Sequence, residues 1–142
     1  MRKRTIAREM ALKVLYQAEI TRREINLAAE NFWSEEEDID PHVKAFSDRI
    51  TTGVAANQGT IDEKITKYAT NWQLKRMAVI DRNILRMGVF ELLFADDIPP
   101  KATINEAVEL AKKYGDLESS KFVNGILDKL HKTEVVPSDS TQ

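Results

Sequence analysis

The sequence predicts an all-α protein of about seven helices, arranged in two halves that meet around residues 70–76. Apolar residues recur at helical spacing along most of the 142-residue chain, and no segment alternates in the manner of a strand. The 5 glycines and 4 prolines are too few for a turn-rich β protein. We expect one domain over residues 1–132, with subdomains of about 1–70 and 71–132.

The composition limits the classes of function. Hydrophobic residues make up 42% of the chain and charged residues 31%, which is enough for a packed core. The absence of cysteine excludes disulfides, thiolate metal sites and cysteine nucleophiles. The basic start leads into an amphipathic segment and not into a signal peptide, so we expect a cytoplasmic protein. The net charge of -2 does not by itself indicate nucleic-acid binding.

The first half begins with an amphipathic helix over residues 1–22, for which Thr5 is a plausible N-cap. A short helix follows over residues 26–33. Asp40 and Pro41 form a strong start signal for the third helix, which we expect to end at residues 57–59. Thr60, followed by an acid three residues later, then predicts the N-cap of a fourth helix.

The central helix of the second half is predicted over residues 77–95. Its apolar residues cover most of the circumference, as in a helix that neighbours bury on all sides. Asp81, Arg82, Arg86 and Glu91 interrupt this surface, so the segment is not a membrane span. We expect these charges to emerge along one exposed edge, where they can serve a partner.

Two further helices complete the second half. Thr103 and Glu106 have the spacing of a capping box, and Gly115 predicts the end of the helix that they begin. The last helix is predicted over residues 118–131. Residues 133–142 show no periodicity, and we expect them to form a disordered tail.

No catalytic or metal-binding pattern is present. His42 and His131 are distant in sequence and lack the spacing of a zinc motif. The acidic segment at residues 35–40 lacks the glycine-containing alternation of a calcium loop and is interpreted as a solvated loop. The sequence therefore predicts a binding protein without cofactors or metals, and not an enzyme.

Two segments suggest a binding surface. The N-terminus is basic, and it either contacts phosphates or merely keeps the chain end solvated; its cations are Arg2, Lys3, Arg4 and Arg8. In the second segment, Lys121 and Asn124 flank Phe122, which could stack on an RNA base or belong to the core. Gly125 costs ~1 kcal/mol relative to alanine within a helix, which close approach of another helix would explain.

Four blocks of sequence resemble the NusB family of bacterial transcription antitermination factors. They are AREMALKVLYQ at 7–17, DRNILRMGVFEL at 81–92, INEAVELAK at 104–112 and KFVNGIL at 121–127. Together they cover nearly the whole chain from residue 7 to about residue 130. The resemblance implies a fold of two small helical bundles and no catalysis.

The resemblance also implies the partners. Proteins of this family bind the boxA element of nascent RNA together with NusE, a protein of the small ribosomal subunit. They act in the elongation complex with RNA polymerase and other Nus factors, notably on ribosomal RNA operons. By motif, the RNA side comprises Arg2, Lys3, Arg4, Arg8, Glu118, Ser119, Lys121, Phe122 and Asn124. By motif, the NusE side comprises Tyr16, Asp81 and Glu91.

Some features depart from this pattern or leave alternatives. Lys75 stands where some relatives carry an acid, which bears on the NusE contact. Certain ribosomal RNA methyltransferases also contain NusB-like domains, but the chain lacks their cofactor-binding domain and their cysteine nucleophile. The remaining alternative is a helical interaction protein that forms homodimers and does not bind RNA specifically.

Overall fold

The structure is a computed structural model, which describes residues 2–135. These residues form six α-helices, a 3₁₀ turn at Leu74–Arg76 and a π-helical turn at His131–Val135, without any strand. The helices are α1 (Lys3–Thr21), α2 (Ile25–Ser34), α3 (Pro41–Tyr68), α4 (Val79–Phe94), α5 (Pro100–Tyr114) and α6 (Leu117–Leu130). The all-α prediction is confirmed. Over the described range, no helix has both the length and the apolar character needed to cross a membrane.

The predicted break between the third and fourth helices is present as a kink inside α3, and counting the two helical segments as one element gives six helices where seven were expected. Within α3 only Asn57 leaves the helical conformation, with φ −123° and ψ 19°. Asparagine readily adopts such a conformation, and the helix resumes directly after it. The chain divides into two compact units at this point, one up to Ala56 and one from Asn57 onward. The division thus falls earlier than the boundary expected near residue 70.

The first unit contains α1, α2 and the first half of α3. Ala7, Ala11 and Val14 of α1 are fully buried, and α1 packs against α2. The predicted cap at Asp40 is present, because its Oδ1 accepts hydrogen bonds from the backbone N–H groups of His42 (2.8 Å) and Val43 (3.3 Å). α1 begins at Lys3, ahead of the expected cap at Thr5.

In the second unit, α4 is the buried central helix that its sequence predicts. Ile84, Leu85 and Val89 are fully buried, and α5 and α6 both pack against α4. The closest approach is at Gly88, where an added Cβ would lie 2.7 Å from Cδ1 of Leu127 in α6. Gly88 therefore allows α4 and α6 to pack closely.

The predicted exposed edge of charges on α4 is wrong for Arg82 and Glu91, whereas Asp81 and Arg86 are partly exposed. Glu91 is only 2% exposed and accepts a hydrogen bond of 2.7 Å from the Thr103 hydroxyl. Thr103 is accordingly not the cap of α5, which begins at Pro100. Arg82 is 9% exposed and donates through Nη1 to the carbonyl of Leu74 at 2.8 Å. These charges lie inward because internal partners satisfy them.

The end of the described chain is held by ion pairs. Glu134 lies 2.8 Å from Nζ of Lys64 and 3.6 Å from Nζ of Lys67, and it accepts a hydrogen bond from the Tyr68 hydroxyl. Of the expected tail, residues 133–135 thus belong to the π-helical turn. Residues 136–142 lie outside the described residues.

Candidate functional site

A groove of about 580 Å³ in the second unit brings together two stretches of sequence, residues 72–81 and 116–122. We call it the aromatic groove. It lies among the 3₁₀ turn, the start of α4 and the start of α6. Its lining comprises Trp72, Arg76, Met77, Ala78, Asp81, Asp116, Glu118, Ser119, Lys121 and Phe122.

Two aromatic rings, those of Trp72 and Phe122, line this groove. Trp72 is 55% exposed, and Phe122 is half-buried. The rings meet edge to face, with centroids 6.0 Å apart and an interplanar angle of 75°. Such a contact holds both rings in position and leaves part of their surface open. Phe122 is therefore a packed residue that also reaches the surface.

The start of α6 positions the polar residues that the sequence analysis singled out. Asp116 caps the helix, because its Oδ1 accepts a hydrogen bond of 2.8 Å from the backbone N–H of Ser119. Ser119 is 9% exposed, while Asn124 lies exposed further along the helix. Glu118 and Lys121 are both exposed and lie 3.9 Å apart. At that distance and exposure the pair is weak, so the Lys121 ammonium remains available to an anion.

Asp81 lines the same groove, although the resemblance assigned it to a protein partner. Its Oδ1 atom is buried and has no hydrogen-bond partner among the described residues. Burial raises the pKa of Asp81, Asp116 raises it further, and a hydrogen bond with Ser119 opposes both effects. The unpaired oxygen is buried below the groove surface, and this burial is the main cause of the raised pKa.

Gly125 does not have the neighbour that the sequence analysis expected. An added Cβ there would meet nothing within 4 Å, and the residue is exposed. The close helix contact lies instead at Gly88. The expectation failed because a helical glycine signals a cost of ~1 kcal/mol but does not say what offsets it.

A second groove, of about 590 Å³, lies in the first unit. We call it the basic groove, and its lining comprises Lys3, Arg4, His42, Ala45, Phe46 and Arg49. The Arg4 guanidinium lies over the Phe46 ring, 4.6 Å from its centroid. The groove thus combines cations with an aromatic surface, which suits a phosphate-bearing ligand.

The four N-terminal cations do not have equal access to solvent. Arg2, Lys3 and Arg4 are exposed, and Lys3 forms an ion pair of 3.1 Å with Asp40. Arg8 is only 4% exposed, with its guanidinium 5.3 Å from the Phe46 centroid. Arg8 therefore supports the groove from within and does not present its charge to solvent.

Three residues of the basic groove, His42, Phe46 and Arg49, were not predicted from the sequence. His42 was noted only as lacking the spacing of a zinc motif, and neither Phe46 nor Arg49 was singled out. Their spacing of four and three residues along α3 places them on one helix face, which is the signal that could have revealed them. Within residues 2–135, no group of three or more histidines or acids is arranged to hold a metal ion.

The residues assigned by resemblance to a protein partner differ in exposure. Tyr16 is 39% exposed, so its ring is accessible. Glu91 is buried against Thr103 and cannot reach a partner in this conformation. Lys75 is exposed in the 3₁₀ turn. The resemblance assigned Tyr16, Asp81 and Glu91 to the partner, and of these only Tyr16 and Asp81 have accessible surface.

Comparison with known proteins gives one family. A sequence model of the NusB family matches residues 5–132. A curated relative, the transcription antitermination protein NusB of Anaeromyxobacter sp. (strain Fw109-5), is 48% identical over 128 residues. That alignment covers 90% of this chain and 89% of the relative.

Solved structures of similar fold agree with this result. The structure of NusB from T. maritima matches with a TM-score of 0.87 and 36% identity, over 100% of this chain and 99% of that one. A chain in the crystal structure of the antitermination factors NusB and NusE in complex with dsRNA matches with a TM-score of 0.84 and 29% identity. That match covers 93% of this chain and 98% of the other.

Proposed function

The chain belongs to the NusB family, and from this premise we propose that it is a bacterial transcription antitermination factor. It binds boxA-type nascent RNA together with NusE and joins RNA polymerase and other Nus factors in the elongation complex. There it promotes processive transcription of ribosomal RNA operons. It works in the cytoplasm by binding alone and catalyses no reaction.

The observation that carries this proposal is the exposed ring pair of the aromatic groove. Single-stranded RNA offers bases that stack on aromatic side chains, and its phosphates favour nearby cations. Trp72 and Phe122 supply the aromatic surface, while Arg76 and Lys121 supply positive charge within the same groove.

The basic groove supports the same function through the phosphate backbone. Arg2, Lys3 and Arg4 contact phosphates, which position an RNA strand without reading its sequence. Arg8 acts indirectly, because its buried guanidinium packs over Phe46 below the surface.

For NusE, we propose a contact that includes Tyr16 and Asp81. Glu91 is left out of this contact because it is buried and occupied by Thr103. Charged residues at such an interface orient the partner and discriminate against wrong ones. Asp81→Lys should therefore abolish NusE binding in a pull-down, whereas Asp81→Asn should only weaken it. If both variants bind NusE equally well, Asp81 is not part of the contact.

Transcription in vitro tests the whole proposal. The template carries a boxA element upstream of a terminator, and the reaction contains RNA polymerase, NusE and the other Nus factors. Adding the protein should raise the fraction of transcripts that pass the terminator, and scrambling boxA should remove this effect. Readthrough that does not respond to the protein would contradict the proposal.

A further inference from the structure

A second recess, of about 270 Å³, shares Trp72, Lys121 and Phe122 with the aromatic groove. The end of α3 and the segment 69–71 form one side of it, and Gly125 and Lys129 of α6 form the other. The ring pair therefore borders two cavities. The proposed function assigns a role to the aromatic groove but none to this recess.

The presence of glycine at position 125 is the feature of the recess that most needs an explanation. It lies in the interior of α6, where glycine weakens a helix relative to alanine. Its φ is not in the left-handed region, and a Cβ would meet nothing within 4 Å. Neither backbone conformation nor internal packing therefore requires glycine here. The bare backbone does permit a ligand to approach more closely than any side chain would allow.

The charges beside Gly125 indicate the kind of ligand. Lys121, Gly125 and Lys129 follow one another at intervals of four residues, so they form a row along one face of α6. Both lysines are exposed, and Lys129 makes no ion pair with any described residue. None of the residues that line the recess is acidic. Two cations, an exposed indole and a bare backbone together favour a ligand that is both anionic and aromatic.

We propose that this recess is a second RNA subsite, which binds the single-stranded nucleotides adjoining the segment held in the aromatic groove. A phosphate crosses the bare backbone of Gly125 between Lys121 and Lys129, and a base stacks on the exposed indole of Trp72. Continuity with the aromatic groove through the shared ring pair makes the flanking RNA the occupant. This inference rests on the proposed function, and it extends the RNA footprint along α6.

The test compares two labelled RNAs on the full chain by fluorescence anisotropy. One is a boxA core, and the other is the same core with a few unpaired nucleotides added at its 5′ or 3′ end. One of the two extensions should tighten binding about tenfold, which corresponds to one stacked base. Gly125→Ala and Lys129→Ala should each erase most of this gain and leave the affinity for the core unchanged.

Stability provides an independent readout. Gly125→Ala should melt higher than the parent by roughly 3–5 °C, because alanine favours the helix and no neighbour is displaced. The variant would thus be more stable yet bind the extended RNA less tightly. Gly59→Ala is the matched control, because Gly59 is also an exposed helical glycine with nothing within 4 Å. It should raise the melting temperature and leave both affinities unchanged.

Each contrary result has a defined meaning. An extension gain that is absent, or that survives both variants, would overturn the subsite. A Gly125→Ala variant that loses affinity only for NusE would show that the recess binds a protein partner. That result would also overturn the RNA subsite. Equal binding of the boxA core and a scrambled core would instead contradict the proposed function. The extension effect would then be measured on the scrambled pair, because stacking and phosphate contacts require no particular sequence.

Discussion

The indole of Trp72 and the ring of Phe122 meet edge to face, with centroids 6.0 Å apart. Edge-to-face pairs contribute about 0.5–1.5 kcal/mol beyond their buried area, so each ring holds the other in place. The pair borders both the aromatic groove and the recess beside Gly125. It therefore presents a preformed stacking surface.

Phe122→Ala should weaken RNA binding by about 1–3 kcal/mol, because it removes one stacking ring. The measurement is anisotropy with boxA RNA, at a temperature where circular dichroism shows the variant to be folded. Phe94→Ala is the control, since Phe94 is 42% exposed and lies outside both cavities. A Phe122 variant that melts earlier but retains full affinity would return Phe122 to a purely structural role.

Alanine at Arg2, Lys3 and Arg4 should flatten the salt dependence of RNA binding. Each lost phosphate contact reduces the slope of log K against log salt by roughly 0.7 for a single strand. Alanine at Lys13, Lys101 and Lys132 removes the same charge from other exposed positions and should leave the slope intact. A slope that the first triple variant does not change would exclude the N-terminus from RNA contact.

Gly88→Ala should destabilise the fold, because the new methyl group would lie 2.7 Å from Cδ1 of the fully buried Leu127. Overpacking costs about 1–3 kcal/mol, and the better helix propensity of alanine offsets part of this cost. Urea denaturation should therefore show a loss of roughly 1–2 kcal/mol. Gly59→Ala, which meets no neighbour, should show no loss.

Glu134→Gln should lower stability at neutral pH but not in acid. Burial alone would raise the pKa of Glu134, but hydrogen bonds from Lys64 and Tyr68 outweigh it and lower the pKa below 4.5. A lowered pKa means that the carboxylate stabilises the fold above its unfolded pKa. This contribution is lost as the pH falls through the folded pKa.

Thermal melts of the parent and of Glu134→Gln, taken from pH 7 down to pH 3, measure this effect. The two melting temperatures should converge as the pH falls. Glu30→Gln, which removes an exposed carboxylate of α2, controls for the loss of one charge. A constant gap between the parent and Glu134→Gln across this range would mean that the ion pairs of Glu134 do not stabilise the fold.

Much of the fold follows from local patterns. The buried central helix was predictable because apolar residues around its whole circumference leave no solvated face. The start of α3 was predictable because Asp40 caps it through local hydrogen bonds. The break at Asn57 was predictable as well, because residues 57–59 interrupt the helical pattern and Thr60 has the spacing of a new N-cap.

The candidate site was less predictable, because burial of a charge depends on distant partners. Nothing near Glu91 in sequence indicates that Thr103 will satisfy it, and Arg8 gives no local sign that it packs over Phe46. Phe122 and Trp72 are 50 positions apart in the numbering, so their contact exists only in the folded chain. The sequence identified Phe122 and Lys121, but the groove around them required the structure.

Recognition of boxA RNA is tested first by anisotropy with labelled boxA RNA and a scrambled control at near-physiological salt, with and without purified NusE. We expect selective binding of boxA RNA that tightens when NusE is added. Equal, weak binding of both RNAs that NusE does not change would contradict it. In that case a self-associating protein without specific RNA binding would be the better description.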